Sequence, residues 1–293
     1  MTFRSGVVAV VGRPNTGKST LVNALVGQKV AIVSNKPQTT RRSIRGILTG
    51  SDHQIVFTDT PGFHKPRTPL GRRLNDVVSA SVQGVDAVVQ VVDAAAGVGR
   101  GDAFVFQAQV VPLFRPKVCA VNKIDRVSHH DLVPHLQAVA DLWSLDEIVP
   151  VSARTGEGVD ELRSLIAGFM PEGPPLYPPN EVTDQPLEVR VSEVVREKAL
   201  AALREEIPHS VAVVVEELER EDGLVRIEAT VMVERDSQKG IVIGRGGTTL
   251  KAIGTAAREE LEVLIGQKVF LSVRVKVLKE WQRDPAALNR LGF

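Results

Sequence analysis

The sequence predicts an α/β fold: a doubly wound, mostly parallel sheet, followed by a smaller α+β domain. Three observations carry this. Apolar, β-branched runs alternate with helix-competent segments through roughly the first 170 residues, the order of repeated βα units. One such run, Val7-Val8-Ala9-Val10-Val11, leads into the glycine-bounded loop Gly12-Arg13-Pro14-Asn15-Thr16-Gly17-Lys18-Ser19 and then a helical segment beginning at Thr20. Beyond a proline-rich stretch the pattern changes to helix, two strands, a Gly-rich loop, helix and strand.

A chain of 293 residues suits two domains, each large enough for its own core. Its 43% hydrophobic and 24% charged content is that of a globular protein. The single cysteine, Cys119, excludes an intramolecular disulfide, and its apolar neighbours make it core filler. No apolar run reaches membrane-spanning length. The start, Met1-Thr2-Phe3-Arg4-Ser5, runs straight into the first strand, so no signal peptide is expected. A net charge of +1 says nothing about partners.

The loop at 12–19 has the chemistry of a phosphate cradle. Gly12 and Gly17 permit backbone conformations that turn successive N–H groups inward. The following helix adds its positive end, and residues 13–16 and Thr20 complete the loop. Lys18 can reach β- and γ-phosphates, and the Ser19 hydroxyl can ligate Mg²⁺.

Residues 28–43 read as a loop containing Lys36-Pro37-Gln38-Thr39-Thr40-Arg41. A threonine there can ligate Mg²⁺ and sense a γ-phosphate. Residues 44–49 and 54–59 form a hairpin around Gly50-Ser51-Asp52. The second strand ends in Asp59-Thr60-Pro61-Gly62. Asp59 stands where a strand-end acid holds Mg²⁺, and Gly62 can bring its N–H to a γ-phosphate. The next residue is Phe63, which has no polar atom with which to orient an attacking water. His64, in a loop, is expected to be solvated. A helix is expected over 70–81, a buried strand over 87–93, and a helix over 102–114.

Residues 117–121 form a strand ending in Asn122-Lys123-Ile124-Asp125. Asp125 can accept from the N1–H and exocyclic amine of guanine, a pattern adenine lacks. Asn122 shapes the pocket, and the Lys123 stem can cover the base. After a helix over 131–145 and a strand over 147–151 comes Ser152-Ala153-Arg154, where the Ala153 N–H could donate to guanine O6.

These five motifs, in this order at strand–loop junctions, resemble the translation-factor-like branch of small GTPases over residues 6–169. The resemblance implies a P-loop GTPase domain with Thr40, Ser19 and Asp59 on Mg²⁺. It also implies catalytic roles for Lys18, Thr40 and Gly62. Members with Asn at the place of Asn15 use K⁺ as a catalytic element, and members lacking the glutamine carry a hydrophobic residue at the place of Phe63.

Six prolines fall between 171 and 186, marking a stiff interdomain linker. Then come an amphipathic helix over 187–206, a strand over 211–215 and a strictly alternating strand over 224–234, with Glu221-Asp222-Gly223 as the turn. Ile243-Gly244-Arg245-Gly246-Gly247 precedes a helix with Leu250, Ile253, Ala257, Leu261 and Leu264 on one face. A last alternating strand covers 269–277. The G-x-x-G loop in this setting matches the KH signature, whose loop clamps a single-stranded backbone. Overall charge gives no support: residues 187–293 hold 17 Lys and Arg against 18 Asp and Glu. Local placement does, since Lys239, Arg245, Lys251, Arg274 and Lys276 lie on the loop, its flanks and the last strand.

With both parts placed, the chain resembles the bacterial Era family: a GTPase domain (1–170), linker (171–186), a KH domain of type II (187–278) and a C-terminal tail (279–293). The resemblance implies GTP and GDP as ligands, and Mg²⁺ and K⁺ as cofactors. It implies binding near the 3′ end of small-subunit rRNA, a role in 30S subunit assembly, and a cytoplasmic monomer with peripheral contact at the inner membrane face. Two other readings stand beside it. One is a metabolic nucleotide-dependent enzyme, disfavoured by the guanine motif and the G-x-x-G loop. The other is a nucleotide pocket with negligible turnover, which Phe63 leaves open.

Overall fold

The structure, a computed structural model, describes residues 2–36, 38–66, 68–203 and 210–293. Pro37 of the loop after the first helix, and the end of the helix expected to reach 206, lie outside these residues. The chain divides into two compact units near residue 184; short pieces around 34–39 and 68–70 group with the second.

The first unit is built on a six-stranded sheet in the order β2-β3-β1-β4-β5-β6. The strands are β1 (Arg4–Val11), β2 (Ile44–Thr49), β3 (His53–Asp59), β4 (Ala87–Asp93), β5 (Lys117–Asn122) and β6 (Glu147–Val151). All neighbours pair in parallel except β2 with β3, the predicted hairpin. Parallel strands bury both faces, so β1 and β4 read as continuous apolar runs rather than alternating ones. Val8, Val10, Val89 and Val91 face one core layer, while Ala9, Val11, Val88 and Val92 face the other. Cys119 is fully buried, and burial pushes its thiol pKa far up, so it is inert filler. Pro150 sits in β6, a sheet edge, where a missing N–H costs no ladder bond.

The helices are α1 (Lys18–Val26), α2 (Pro69–Ser81), α3 (Arg100–Val105), α4 (His129–Leu142) and α5 (Val159–Phe169). The helix expected over 102–114 begins two residues earlier and continues from α3 as a π-helical turn, Phe106–Val110. Such turns arise where tertiary contacts override ideal helix geometry, which periodicity cannot reveal.

The proline-rich segment does not run as a free spacer. Residues 171–184 belong to the first unit and lie along its sheet as a strap. The buried side chain of Gln54 accepts from the N–H groups of Leu176 and Tyr177 and donates to the Tyr177 carbonyl. Ser5 donates to the carbonyls of Pro171 and Pro174, and Ile47 of the edge strand β2 donates to the Val182 carbonyl at 2.9 Å. Prolines suit this role because their carbonyls accept while the segment stays extended.

The second unit has α6 (Leu187–Ala202), β7 (Ala212–Glu221), β8 (Leu224–Val233), α7 (Asp236–Ile243), α8 (Thr248–Ile265), β9 (Lys268–Val277) and α9 (Pro285–Arg290). β8 is central, antiparallel to β7 and parallel to β9. The alternation read from the sequence holds: Val225, Ile227, Val231 and Val233 point into a core shared with Val191, Val195, Ile253, Ala257 and Leu261. The segment after β9 is no loose tail. Trp281 is fully buried, donates its indole N–H to the Ser210 carbonyl at 3.0 Å and stacks on Phe293. Ala287 and Leu288 of α9 are buried as well. Among the described residues, no helix is long and apolar enough to cross a membrane.

Candidate nucleotide site and nucleic-acid groove

The phosphate-loop residues gather at the carboxyl end of β1. Gly12 takes φ 157° and Gly17 φ 93°, and neither has room for a side chain. A Cβ on Gly12 would stand 2.5 Å from the Val91 carbonyl oxygen; one on Gly17 would stand 2.3 Å from Asn122 Nδ2. The close approach at Gly17 lets Asn122 donate to the Thr16 carbonyl at 2.9 Å, so the base-reading motif braces the phosphate loop. Thr16 Oγ1 in turn donates to the Arg13 carbonyl at 3.1 Å. Lys18 is buried, and its ammonium donates to the carbonyls of Gly12 (3.1 Å) and Arg13 (2.9 Å). Burial lowers its pKa to about 8, opposed by the charge of Asp59. Stronger anionic acceptors such as phosphates would draw this ammonium off the loop carbonyls.

Ser19, Thr40 and Asp59 converge. The hydroxyls of Ser19 and Thr40 donate to Asp59 Oδ2 at 2.6 and 3.2 Å, and lie 2.9 Å from each other. Asp59 is fully buried, and burial raises its pKa to about 6. Its other oxygen, Oδ1, is buried without a hydrogen-bond partner. An orphan carboxylate oxygen beside two hydroxyls is a hard-oxygen donor set, and it fits Mg²⁺. Among the described residues, no cluster of three or more His, Cys, Asp or Glu could hold a metal alone.

Gly62 packs on the phosphate loop, where an added Cβ would stand 2.6 Å from the Pro14 nitrogen. The Phe63 N–H donates to the Gly12 carbonyl at 3.2 Å, and its ring is buried among apolar residues. The ring cannot orient water, as its chemistry implied. His64, in the loop, is half-buried rather than fully solvated. Its Nδ1 lies 2.9 Å from the Gly62 carbonyl, and its own carbonyl accepts from Asn75 at 2.8 Å.

At the far end, Asp125 accepts from Ser152 Oγ at 2.6 Å and from Arg154 Nη2 at 2.6 Å. The Ser152 hydrogen bond, then Arg154, holds its carboxyl below the usual range, so it is ionised and ready to accept. Lys123 takes φ 69°, pairs with Asp93 at 2.5 Å and donates to the Asn15 carbonyl at 2.6 Å, which lays its stem across the pocket. The Ala153 N–H, expected to face guanine O6, donates instead to Asn122 Oδ1 at 3.0 Å. Arg13 keeps its place in the loop through its backbone. Its guanidinium Nε donates to Asp102 at 2.7 Å, so its carbonyl, rather than its charge, serves the phosphate loop.

In the second unit, Gly244, Gly246 and Gly247 take φ of 75°, 60° and 80° between α7 and α8. Arg245 and Gly246 are exposed at the tip. Beside the loop, a groove of about 390 Å³ runs between α8 and β9. Leu250, Leu271 and Val273 give it an apolar floor, and Lys251 and Arg258 line it with charge. Gly254 keeps the floor low. This combination of apolar bed and cationic border suits bases and phosphates. Lys239, on α7, is half-buried, and Ile243 packs against the core beside the loop. The sequence reading missed Gly254, Thr255 and Arg258, although a glycine on the helix face toward β9 was a visible signal. It also grouped Arg274 and Lys276 with this surface. Because strand side chains alternate, these two lie on the opposite face from Val273, paired with Glu228 and Glu216.

Residues 7–123 match the 50S ribosome-binding GTPase family, and residues 206–282 match the KH domain family. The chain is 51% identical to GTPase Era of Mycolicibacterium smegmatis and 52% identical to that of Mycobacterium tuberculosis, in each case across 99% of both proteins. The chain belongs to the GTPase Era family. Among solved structures, an Era in complex with MgGDPNP and nucleotides 1506–1542 of 16S ribosomal RNA matches with a TM-score of 0.96 at 38% identity, over 99% of each chain. A variant of Aquifex aeolicus Era bound to GDP·AlF4− matches equally well. As an Era-family GTPase, the chain hydrolyses GTP, and its two units are a GTPase domain and a KH domain.

Proposed function

We propose that this protein is a GTP-driven switch that binds the 3′ end of small-subunit rRNA through its KH groove and acts in assembly of the 30S subunit. One observation carries the reading: a complete phosphate, Mg²⁺ and guanine constellation and a G-x-x-G groove occur in one chain that matches an RNA-bound Era over its full length. In this reading Lys18 leaves the carbonyls of Gly12 and Arg13 for the β- and γ-phosphates. Ser19, Thr40 and Asp59 hold Mg²⁺, which neutralises charge on the phosphates. Asp125 reads the base. Thr40 and Gly62 sense the γ-phosphate, and hydrolysis releases their loops. The place of work is the cytoplasm, with any contact at the inner membrane face being peripheral.

The test measures phosphate release from GTP with and without an oligoribonucleotide of the 16S 3′ end, alongside binding of that RNA. Tight binding of that RNA over a scrambled one is expected. Equal binding of both, with turnover indifferent to either, would remove the rRNA assignment.

The same reading makes K⁺ part of catalysis. Phe63 offers water no hydrogen bond, and Asn15, at φ 65°, stands in the phosphate loop at the place that resemblance assigns to a K⁺ ligand. Exchanging K⁺ for Na⁺ at constant ionic strength should slow steady-state turnover about tenfold, equivalent to about 1.4 kcal/mol of barrier. Identical rates in the two salts would remove K⁺ from the mechanism.

A further inference from the structure

The first turn of α3 touches the nucleotide site in two places, and no motif marks it. Asp102 is fully buried. One of its oxygens accepts from Arg13 Nε at 2.7 Å, and the other accepts from the Gly99 N–H at 2.9 Å. Its backbone carbonyl accepts from the buried Gln90 of β4 at 3.1 Å, which ties the turn to the sheet. Gly101 lies so close to the phosphate loop that a Cβ there would stand 2.5 Å from Arg13 Cδ. Three residues after Gly101, the Phe104 ring stacks on the Phe63 ring, centroids 5.2 Å apart and planes 22° from parallel.

These contacts close a circuit. Phe63 is fixed to the phosphate loop by its N–H on the Gly12 carbonyl, and Gly62 is wedged against Pro14. A shift of the Gly62–Phe63 backbone would move the Phe63 ring against Phe104. Hydrolysis needs reacting groups placed to within about an ångström. In a chain whose residue 63 cannot hold water, placement of the Gly62 N–H and of the phosphate loop gains weight.

We propose that the first turn of α3 is a positioning element for GTP hydrolysis: Phe104 fixes Gly62 through Phe63, and Asp102 fixes the phosphate loop through Arg13. Phe104 is 43% exposed, unlike Phe63 at 6%, so it lies at the margin of the core. What distinguishes Phe104 from other residues at this margin is its stacked contact with Phe63. Asp102 acts differently. A buried carboxylate holding a guanidinium sets the register of residues 12–14, which any nucleotide with a β-phosphate uses.

The two roles predict different kinetic signatures. Phe104→Ala should lower kcat about tenfold or more, while affinity for mant-GDP stays within about twofold, since GDP does not engage Gly62. Phe104→Leu, which keeps an apolar contact, should recover most of the rate. Asp102→Asn should weaken mant-GDP and a non-hydrolysable mant-GTP analogue by the same factor, about tenfold. The inference rests on the hydrolytic reading of the site, so wild-type turnover is measured in the same series; its absence would indict that reading, not the α3 contact. Wild-type kcat in folded Phe104→Ala would overturn the Phe104 role. So would a rate loss matched by equal loss of mant-GDP affinity. Should Phe104→Ala not fold, Phe104→Gln, which removes the ring but leaves a longer chain at this half-exposed place, carries the same kcat-against-affinity comparison. Unchanged affinities in Asp102→Asn, or a loss confined to the triphosphate, would overturn the Asp102 role.

Discussion

Replacing Asp125 with Asn should move the protein's preference from GTP to xanthosine triphosphate. Guanine offers two N–H donors to this carboxylate, each hydrogen bond to a charged acceptor being worth about 1.5–3 kcal/mol. Losing one bond and weakening the other predicts a fall in GTP affinity of roughly 10²-fold or more. Xanthine presents a carbonyl where guanine has its amine, so an Asn amide donates where the carboxylate would repel. The surroundings tolerate the change: Ser152 can keep donating to the amide oxygen, and Arg154, with a side chain 70% exposed, can turn into solvent. The measurement is a competition of the two triphosphates against a fluorescent guanine nucleotide. An unaltered GTP preference would take Asp125 out of base recognition.

A carboxylate at the tip of the G-x-x-G loop should weaken RNA binding by about 1–3 kcal/mol, the scale of one stacking or clamp contact. Gly246→Asp suits this test for a structural reason. A Cβ there meets nothing within 4 Å, and Asp tolerates the left-handed conformation at φ 60° better than most residues. The neighbouring Gly244 would not serve, since its Cβ would stand 2.3 Å from Thr249 Oγ1 and break the loop itself. GTP affinity should be unchanged, because every proposed nucleotide contact lies in the other unit. Titration of RNA and nucleotide on one preparation, with circular dichroism to confirm folding, decides it. If the folded variant binds RNA like the wild type, the loop is no clamp.

Much of the site was legible because its chemistry is local. A phosphate loop needs glycines at fixed spacing, and Gly12 and Gly17 are where the backbone enters space barred to a side chain. Asp59 ends a strand and Asp125 lies just beyond one, so an apolar run points at each. β8 and α8 showed their buried faces through periods of two and 3.6. What escaped was held by contacts between residues far apart in sequence. Asp102 carries no signal that it will meet Arg13, and Gln54 reads as a polar residue in a strand until its side chain is found holding Leu176 and Tyr177. The burial of Trp281 was not legible either, because a lone aromatic gives no period from which to assign a face. Arg274 and Lys276 were misplaced for the opposite reason: the alternation was visible, but not that Val273 would line the groove.

The strap over β2 also orders events during synthesis. A growing chain emerges from its N-terminus, so Ile47 and Gln54 leave the ribosome long before Val182 and Tyr177. At about 5–20 residues per second, the β2 edge waits on the order of ten seconds for its cover. Until then an edge strand exposes unpaired amides, a template for pairing with any other strand nearby. The first unit is therefore not finished when its last helix, α5, is made, but only when the prolines after it have emerged. The rigid carbonyl-rich segment that reads as a spacer is the closing seam of the nucleotide-binding half.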